Sequence, residues 1–152
     1  MSDGAPGARP PTPGHLDQAG AAARLDRQMA FLLEADRLKH VLRATTLVDG
    51  SRPENSGEHS WHLALYAMVL ADQAPEGVRI DRVMRMLILH DLVEIDAGDT
   101  PIHGDYDPFA QAAAEEAAAD RIFGLLPPDQ ATEFRALWTE FEAVQTPDAI
   151  FA

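Results

Sequence analysis

The sequence contains no cysteine among its 152 residues. Disulfide frameworks, thiolate zinc sites and thiol nucleophiles are therefore excluded. Cations are also scarce, because 12 Lys and Arg stand against 25 Asp and Glu, which gives a net charge of -13 at pH 7. An acidic surface repels polyanions, so we expect no general binding to nucleic acid or to an anionic membrane. One local cationic site could still hold a small phosphorylated ligand.

Long apolar runs are missing as well. No stretch approaches the roughly 18 to 20 residues that a membrane-spanning helix needs, and the first residues lack the basic-then-apolar pattern of a secretion signal. With 46% apolar side chains, the chain is long enough for one core and too short for two ordinary domains. We therefore expect a single cytoplasmic domain.

The composition changes at about residue 20. Residues 1–20 are rich in proline and glycine and carry almost nothing large and apolar, so they are predicted to be a disordered tail. In residues 21–152, apolar side chains recur at helical spacing, and strand-like alternation of useful length is not found. The predicted fold class is all-α, a helical bundle.

Capping and breaking residues divide this domain into helices. The first is predicted from about Ala21 to near Arg43. Further helices are predicted from Ser56 to about Gln73, from about Asp81 to Gly98, from Pro108 to Gly124 and from Pro128 to about Ala143. The third helix is apolar on nearly every face, which makes it the candidate for the central element. The second is expected to bury the side formed by Trp61, Leu65, Met68 and Val69, and the last to turn inward Phe134, Leu137, Trp138 and Phe141.

The end of the sequence is unusual. Thr146, Pro147 and Asp148 are typical of the first turn of another helix, and only a few residues follow them. Because a helix shorter than about 12 residues is marginal alone, we expect the domain to lack its last helices.

The strongest chemical signal is the pair His90 and Asp91 inside the apolar third helix. A carboxylate is almost never fully buried unless it is paired or bound to a metal. Glu94 can face the same way, Asp99 lies just beyond the helix end, and His59 on the second helix is the next candidate ligand. Imidazoles with one carboxylate suit a divalent transition metal, and positions left to water would make the site catalytic.

Other interpretations of these residues stay open. The His-Asp pair could be an orienting hydrogen bond in a packed core. His62 is either a second ligand or a packing residue, and Arg43 and Arg52 either stay in solvent or turn toward an anion. The remaining polar candidates are expected to have no special role: His15, His40, His103 and the acids Glu133, Glu140 and Glu142, which are expected to form a solvated face. Both tryptophans, Trp61 and Trp138, are expected in the core.

Several separated motifs occur in an order that is typical of one family. They are Pro-Glu-Asn-Ser-Gly-Glu-His-Ser at 53–60, His-Asp-Leu-Val-Glu at 90–94, Gly-Asp-Thr-Pro at 98–101, and Leu-Trp with Phe-Glu at 137–142. The set resembles the HD-domain phosphohydrolases, specifically the group that contains HD domain-containing protein 2 and the bacterial 5'-deoxynucleotidases. The resemblance covers roughly residue 25 to the C-terminus.

This resemblance implies an all-helical metal-binding fold that hydrolyses deoxyribonucleoside 5'-monophosphates to nucleoside and phosphate. The expected partner is thus a small phosphorylated nucleotide, and the expected cofactor is one divalent ion, which could be Mn, Co, Zn or Mg. The residues that match its ligands are His59, His90 and Asp91. Family members often pair as homodimers, so this state is also expected.

The resemblance also assigns roles around the ion. Glu94 matches the catalytic carboxylate, and Asp99 matches an acid near the sugar. Arg43 matches a substrate-binding arginine, although its spacing to His59 differs slightly from that in the bacterial nucleotidase.

One family ligand has no counterpart in the sequence. In the family, the fourth ligand is an aspartate on the helix after the Trp-to-Glu segment, at a position that would fall a few residues after Ala152. Asp148 is the nearest acid, but its position does not match. Either the sequence is a fragment, or the metal site is incomplete and inactive. Two other functions therefore stay open: a noncatalytic metal-binding helical module, and an HD hydrolase that acts on a signalling nucleotide.

Overall fold

The computed structural model describes residues 17–99 and 107–152 of the chain. Its elements are α1 (Gln18–Ala35), β1 (Leu42–Thr46), β2 (Pro53–Asn55), α2 (Ser56–Val69), α3 (Ile80–Leu89), α4 (Glu94–Ala97), α5 (Pro108–Phe123), α6 (Pro128–Ala143) and α7 (Pro147–Phe151). Short 3-10 segments cover Asp36–His40, Ala71–Gln73 and His90–Val93. The all-α class is confirmed, with one small hairpin added. Within the described ranges, no helix is both long and apolar enough to cross a bilayer.

Most of the tail predicted at 1–20 lies outside the described residues, which begin at residue 17. The part that is described belongs to a helix. Helix α1 begins at Gln18, and its N-cap Asp17 accepts a hydrogen bond from the backbone of Gly20 at 2.7 Å. The boundary predicted near residue 20 was therefore a few residues late, since Asp is a good N-cap.

The predicted starts of α2, α5 and α7 are confirmed. At the start of α2, the Asn55 side chain accepts from the backbone of Glu58 at 2.9 Å, and the Glu58 carboxylate accepts from the backbone of Asn55 at 3.2 Å. This capping box satisfies two amides that the helix leaves unpaired. Asp107 caps α5, and Thr146 caps α7.

The first helix is shorter than predicted. It ends at Ala35, a 3-10 segment follows, and β1 then pairs antiparallel with β2. The apolar spacing that extended the predicted helix to Arg43 relied on Leu42, whose side chain is 64% exposed. The chain turns at Gly50, which has a φ of +70° that favours glycine. Cross-strand pairing therefore overrides the helical spacing in this segment.

The predicted central helix is interrupted. Helix α3 ends at Leu89, and a 3-10 segment and α4 follow before Gly98, whose φ of +75° ends the run. The N-cap is Arg79, so the predicted cap Asp81 lies inside the first turn. Mid-helix 3-10 segments often mark functional positions, and this one contains His90 and Asp91.

The main core lies between α1, α3, α5 and α6. Its most deeply buried large side chains include Met86, Ile122, Phe123, Leu137 and Trp138. The predicted inward face of α6 is confirmed, because Phe134 and Phe141 also pack against this cluster.

The predicted inward face of α2 is wrong. Trp61, Leu65, Met68 and Val69 are all exposed, and Trp61 is 62% exposed. The buried positions of α2 are instead small residues: Ser56, Ser60, Ala64 and Ala67. Small side chains let α2 lie close to α3, where Ala64 and Ala67 pack with Val83 and Leu87. Close backbone approach thus decides which face is buried, rather than side-chain hydrophobicity.

Helix α7 is fastened to the start of α3 by Asp148. This side chain is almost fully buried, and it accepts hydrogen bonds from the Arg79 backbone at 2.8 Å and from the Arg79 guanidinium at 2.7 and 3.0 Å. Burial raises the pKa of Asp148, but the hydrogen bonds from Arg79 outweigh burial, so its pKa lies below the usual value. Asp148 is therefore a structural carboxylate.

We expect Asp148→Asn to lower the free energy of unfolding at pH 7 by about 1.5–3 kcal/mol, because the amide has one acceptor oxygen and no charge for Arg79. The matched control is Asp129→Asn, which removes an exposed pair with Arg24 and should cost clearly less, because solvent screens an exposed ion pair. Urea unfolding measures both values. Equal losses in the two variants would contradict the structural role.

The ion pair between Asp148 and Arg79 also predicts that stability depends on pH. A depressed carboxyl pKa stabilises the fold above the unfolded pKa, which is about 3.9 for Asp, and this stabilisation disappears as pH falls through the lower folded pKa. The difference in unfolding free energy between the wild type and Asp148→Asn should therefore shrink below about pH 4.

Candidate metal centre

Three predicted ligands come together at the junction of α2 with the 3-10 segment that follows α3. His59, His90 and Asp91 each offer a ligand atom, and these atoms lie within 4.8 Å of one another. The two imidazole rings have centroids 5.8 Å apart. Residues from separate helices therefore form one cluster, as the sequence predicted.

The geometry of His90 leaves one ring nitrogen for a cation. Its Nδ1 lies 2.8 Å from the carbonyl oxygen of Leu87, and since a carbonyl only accepts, Nδ1 carries the hydrogen. Its Nε2 then faces Asp91 Oδ1 at 2.9 Å. A nitrogen lone pair against a carboxylate oxygen is repulsive unless a proton or a metal ion lies between them. Trp138 Nε1 holds this backbone by donating to the His90 carbonyl at 3.2 Å.

The pKa values of this pair are shifted in opposite directions. Burial lowers the pKa of His90, but the hydrogen bond and the charge of Asp91 outweigh burial, so its pKa is raised. Burial raises the pKa of Asp91, but His90 and Arg43 outweigh burial and lower it. Asp91 therefore remains an ionised carboxylate at neutral pH, as a ligand must be.

His59 is also in the deprotonated state that a metal ligand needs, for a different reason. Burial and then the charge of Arg43 lower its pKa, so its imidazole is neutral at pH 7. Its Nδ1 lies 3.0 Å from Glu54 Oε1. Sequence reasoning missed Glu54, although it lies in the quoted motif at 53–60.

The three side chains fit a divalent ion. Two neutral imidazoles and one carboxylate make a donor set that suits divalent transition metals, and three protein ligands leave coordination positions open for water or substrate. The lone pair of the neutral His90 Nε2 faces the Asp91 carboxylate, so a cation between these two donors would be attracted by both.

The other predicted site residues surround Asp91. Arg43 Nη1 lies 2.7 Å from Asp91 Oδ2, 3.3 Å from Glu94 Oε1 and 3.9 Å from Asp99 Oδ1. Strand β1 supplies this arginine, and its Ala44 amide donates to Asp99 Oδ2 at 3.2 Å. The structure thus places Arg43, Glu94 and Asp99 beside the cluster.

Glu94 has an unusual environment. Its Oε2 accepts a hydrogen bond from the Ser56 hydroxyl at 2.5 Å, and the side chain is only 13% exposed. Burial and the negative charge of Asp91 raise the pKa of Glu94 to about 7, against the opposing effects of Ser56 and Arg43. A carboxyl group with this pKa can take up and release a proton near neutral pH.

Among the described residues, His62, His40 and Arg52 do not belong to the cluster. His62 stacks between Trp61 and Tyr66, with centroid distances of 5.8 and 4.7 Å. His40 is exposed, and Arg52 pairs with Glu58 at 2.7 Å. His15 and His103 lie outside the described residues.

The acids of α6 form only in part the solvated face that was predicted. Glu133 is half exposed and pairs with Arg85 at 2.6 Å, and Glu142 is exposed. Glu140, in contrast, is 19% exposed and is held by Arg82 and by Thr146. The sequence could not show this difference, because the partners come from other elements.

Comparison with known proteins agrees with the family resemblance of the sequence motifs. A family model described as HD domain matches residues 35–152. Human 5'-deoxynucleotidase HDDC2 is 31% identical over 124 residues, which are 81% of this chain and 59% of that protein. The mouse protein of the same name is 31% identical over 137 residues, 90% of this chain and 66% of its own length. The chain therefore spans less than two thirds of the length of these relatives.

Solved structures show the same fold. A predicted metal-dependent phosphohydrolase from Magnetospirillum magnetotacticum MS-1 is 56% identical, with a TM-score of 0.79 over 85% of this chain and 66% of that one. The PH0347 protein of Pyrococcus horikoshii OT3 is 25% identical, with a TM-score of 0.63 over 80% of this chain and 67% of that one.

The hydrogen bond from Ser56 to Glu94 can be tested by titration. In the metal-free protein, we expect the Glu94 carboxyl to titrate at about pH 7 and Ser56→Ala to raise this pKa further, because the hydroxyl stabilises the ionised form. Carbon-13 NMR of the Glu94 side-chain carboxyl, recorded as a function of pH, measures this pKa in the wild type and in the variant.

Ser60→Ala is the matched control. Ser60 is also buried on α2, and its hydroxyl has no hydrogen-bond partner within the described parts of the chain. The control should leave the Glu94 titration unchanged, and an equal shift in both variants would refute the specific contact.

Proposed function

The chain belongs to the HD-domain family, and from this premise we propose that it is a metal-dependent phosphohydrolase acting on deoxyribonucleoside 5'-monophosphates. The observation that carries the proposal is the cluster of His59, His90 and Asp91 with Glu94 and Arg43 beside it. The names of its relatives support the substrate class, since the human and mouse proteins are called 5'-deoxynucleotidases.

His59, His90 and Asp91 are the residues that would hold the ion. A divalent ion supplies Lewis acidity there, which lowers the pKa of water toward about 7 and polarises a phosphoryl oxygen. The remaining steps fall to side chains of the protein.

Arg43 is the proposed phosphate-binding residue. Its guanidinium contacts three carboxylates, which hold it beside the cluster. Guanidinium groups bind phosphate through parallel hydrogen bonds and stabilise charge in the transition state. Because the net charge is -13, attraction of an anionic substrate must come from such a local cation.

Glu94 is the proposed proton carrier. Ser56 fixes its carboxylate at 2.5 Å, and its pKa of about 7 lets it accept the proton of an attacking water and return it to the leaving sugar oxygen. The products are then the nucleoside and inorganic phosphate.

Asp99 is the proposed contact to the sugar. The Ala44 amide anchors one of its oxygens at 3.2 Å, which leaves lone pairs for a deoxyribose hydroxyl. Gly98, with a φ of +75°, ends α4 and turns the chain just before Asp99.

Phosphate release from a nucleotide panel tests the substrate class. With Mn²⁺ or Co²⁺ added, we expect dAMP and other deoxyribonucleoside 5'-monophosphates to be hydrolysed faster than cyclic nucleotides or guanosine polyphosphates. Faster release from a signalling nucleotide would assign the alternative HD hydrolase activity. Bound metal with no phosphate release from any member of the panel would favour the noncatalytic module.

Glu94→Gln tests the proton carrier. We expect turnover to fall by about 100- to 10,000-fold while metal content is kept, because the amide can neither accept nor return the proton. Glu133→Gln, at a half-exposed ion pair with Arg85, is the control and should retain full turnover. Full turnover of Glu94→Gln with bound metal would show that the assigned role is wrong.

The same variant has an expected effect on stability. Since the folded-state pKa of Glu94 is raised, its ionisation destabilises the metal-free fold as pH rises through about 7. Glu94→Gln should therefore unfold at higher urea concentration than the wild type at pH 8, with no such gain for Glu133→Gln.

A further inference from the structure

Glu54 contacts the ligand set without belonging to it. Its side chain is 13% exposed, and its Oε1 lies 3.0 Å from His59 Nδ1 and accepts a hydrogen bond from the Thr45 hydroxyl at 2.8 Å. We propose that Glu54, steadied by Thr45, is a positioning residue that fixes the tautomer of His59 for metal binding. The proposal rests on the metal centre of the proposed function.

The chemistry follows from the acceptor. An ionised carboxylate only accepts hydrogen bonds, so His59 Nδ1 must carry the hydrogen, and Nε2 of the neutral ring keeps its lone pair. A metal ion needs that lone pair, and a carboxylate behind the ring increases the basicity of the ligand nitrogen.

His90 provides an internal comparison. Its Nδ1 is also engaged, but the acceptor is the backbone carbonyl of Leu87 at 2.8 Å. In the neutral form of either ring, therefore, Nδ1 carries the hydrogen and Nε2 keeps its lone pair for the ion. The acceptor of His59 is a side chain, so it can be changed without altering the acceptor of His90.

The hairpin and the helix start determine this geometry. Thr45 lies on β1 and Glu54 on β2, and the two strands are paired antiparallel. His59 follows Glu54 by five residues, in the first turns of α2. The capping box between Asn55 and Glu58 fixes the conformation of the chain between them.

Nitrogen-15 NMR of the metal-free protein tests the tautomer directly. Above the pKa of the ring, we expect His59 of the wild type to be protonated at Nδ1 and Glu54→Ala to shift it toward Nε2 protonation. Nδ1 protonation of His90 should persist in both spectra, which shows that the variant is folded. His59 protonated at Nε2 in the wild type would overturn the proposal.

Metal affinity tests the consequence. Titration calorimetry with Mn²⁺ or Co²⁺ should show about 10- to 100-fold weaker binding for Glu54→Ala, as for other residues that orient a metal ligand. Glu54→Gln should lose less, because its amide oxygen still accepts from Nδ1. Thr45→Val should lose less than Glu54→Ala, because it removes only the support of the carboxylate.

The matched control is Glu58→Gln. Glu58 lies in the same motif, but its carboxylate pairs with Arg52, and glutamine keeps the cap. This control should bind metal like the wild type. Wild-type affinity in Glu54→Ala, or an equal loss in Glu58→Gln, would overturn the proposal, as would a wild type that binds neither ion. Absence of phosphate release with the expected tautomers and affinities would refute only the proposed function.

Discussion

The buried charge of Asp91 is the constraint on which the centre depends. A carboxylate removed from water needs compensating charge, and here the compensation comes from His90 on one oxygen and Arg43 on the other. His90 neighbours Asp91 in a 3-10 segment, whereas Arg43 comes from a strand 48 residues earlier. The cluster of His59, His90 and Asp91 therefore forms in this geometry only when the hairpin packs against the end of α3.

The hairpin has a larger part in the centre than its size suggests. Strand β1 supplies Arg43, the Ala44 amide that holds Asp99, and the Thr45 hydroxyl that supports Glu54. Strand β2 supplies Glu54 and ends at Asn55, the cap of α2. Local pairing of two short strands thus positions the side chains around the proposed ligands, while α2 and the 3-10 segment after α3 supply those ligands.

Sequence reasoning was most accurate where a local interaction decides the structure. Side-chain caps such as Asn55, Asp107 and Thr146 satisfy amides within three residues, so the starts of α2, α5 and α7 were predictable. It failed where packing competes with local spacing. Leu42 continues a helical pattern but lies on an exposed strand, and Trp61 is exposed because small residues bring α2 close to α3.

The sequence by itself determined the fold class, the starts of α2, α5 and α7, and the identity of the side chains that gather around Asp91, because capping patterns and motifs are local chemistry. Only the tertiary structure decided which hydrogen-bond partners the polar side chains meet. His59 meets the acceptor Glu54 and His90 the Leu87 carbonyl, whereas Glu94 accepts from Ser56 and Asp148 accepts from Arg79. Those contacts act with burial on the pKa values of Glu94 and Asp148, and they depend on distances of about 3 Å that residue spacing does not encode.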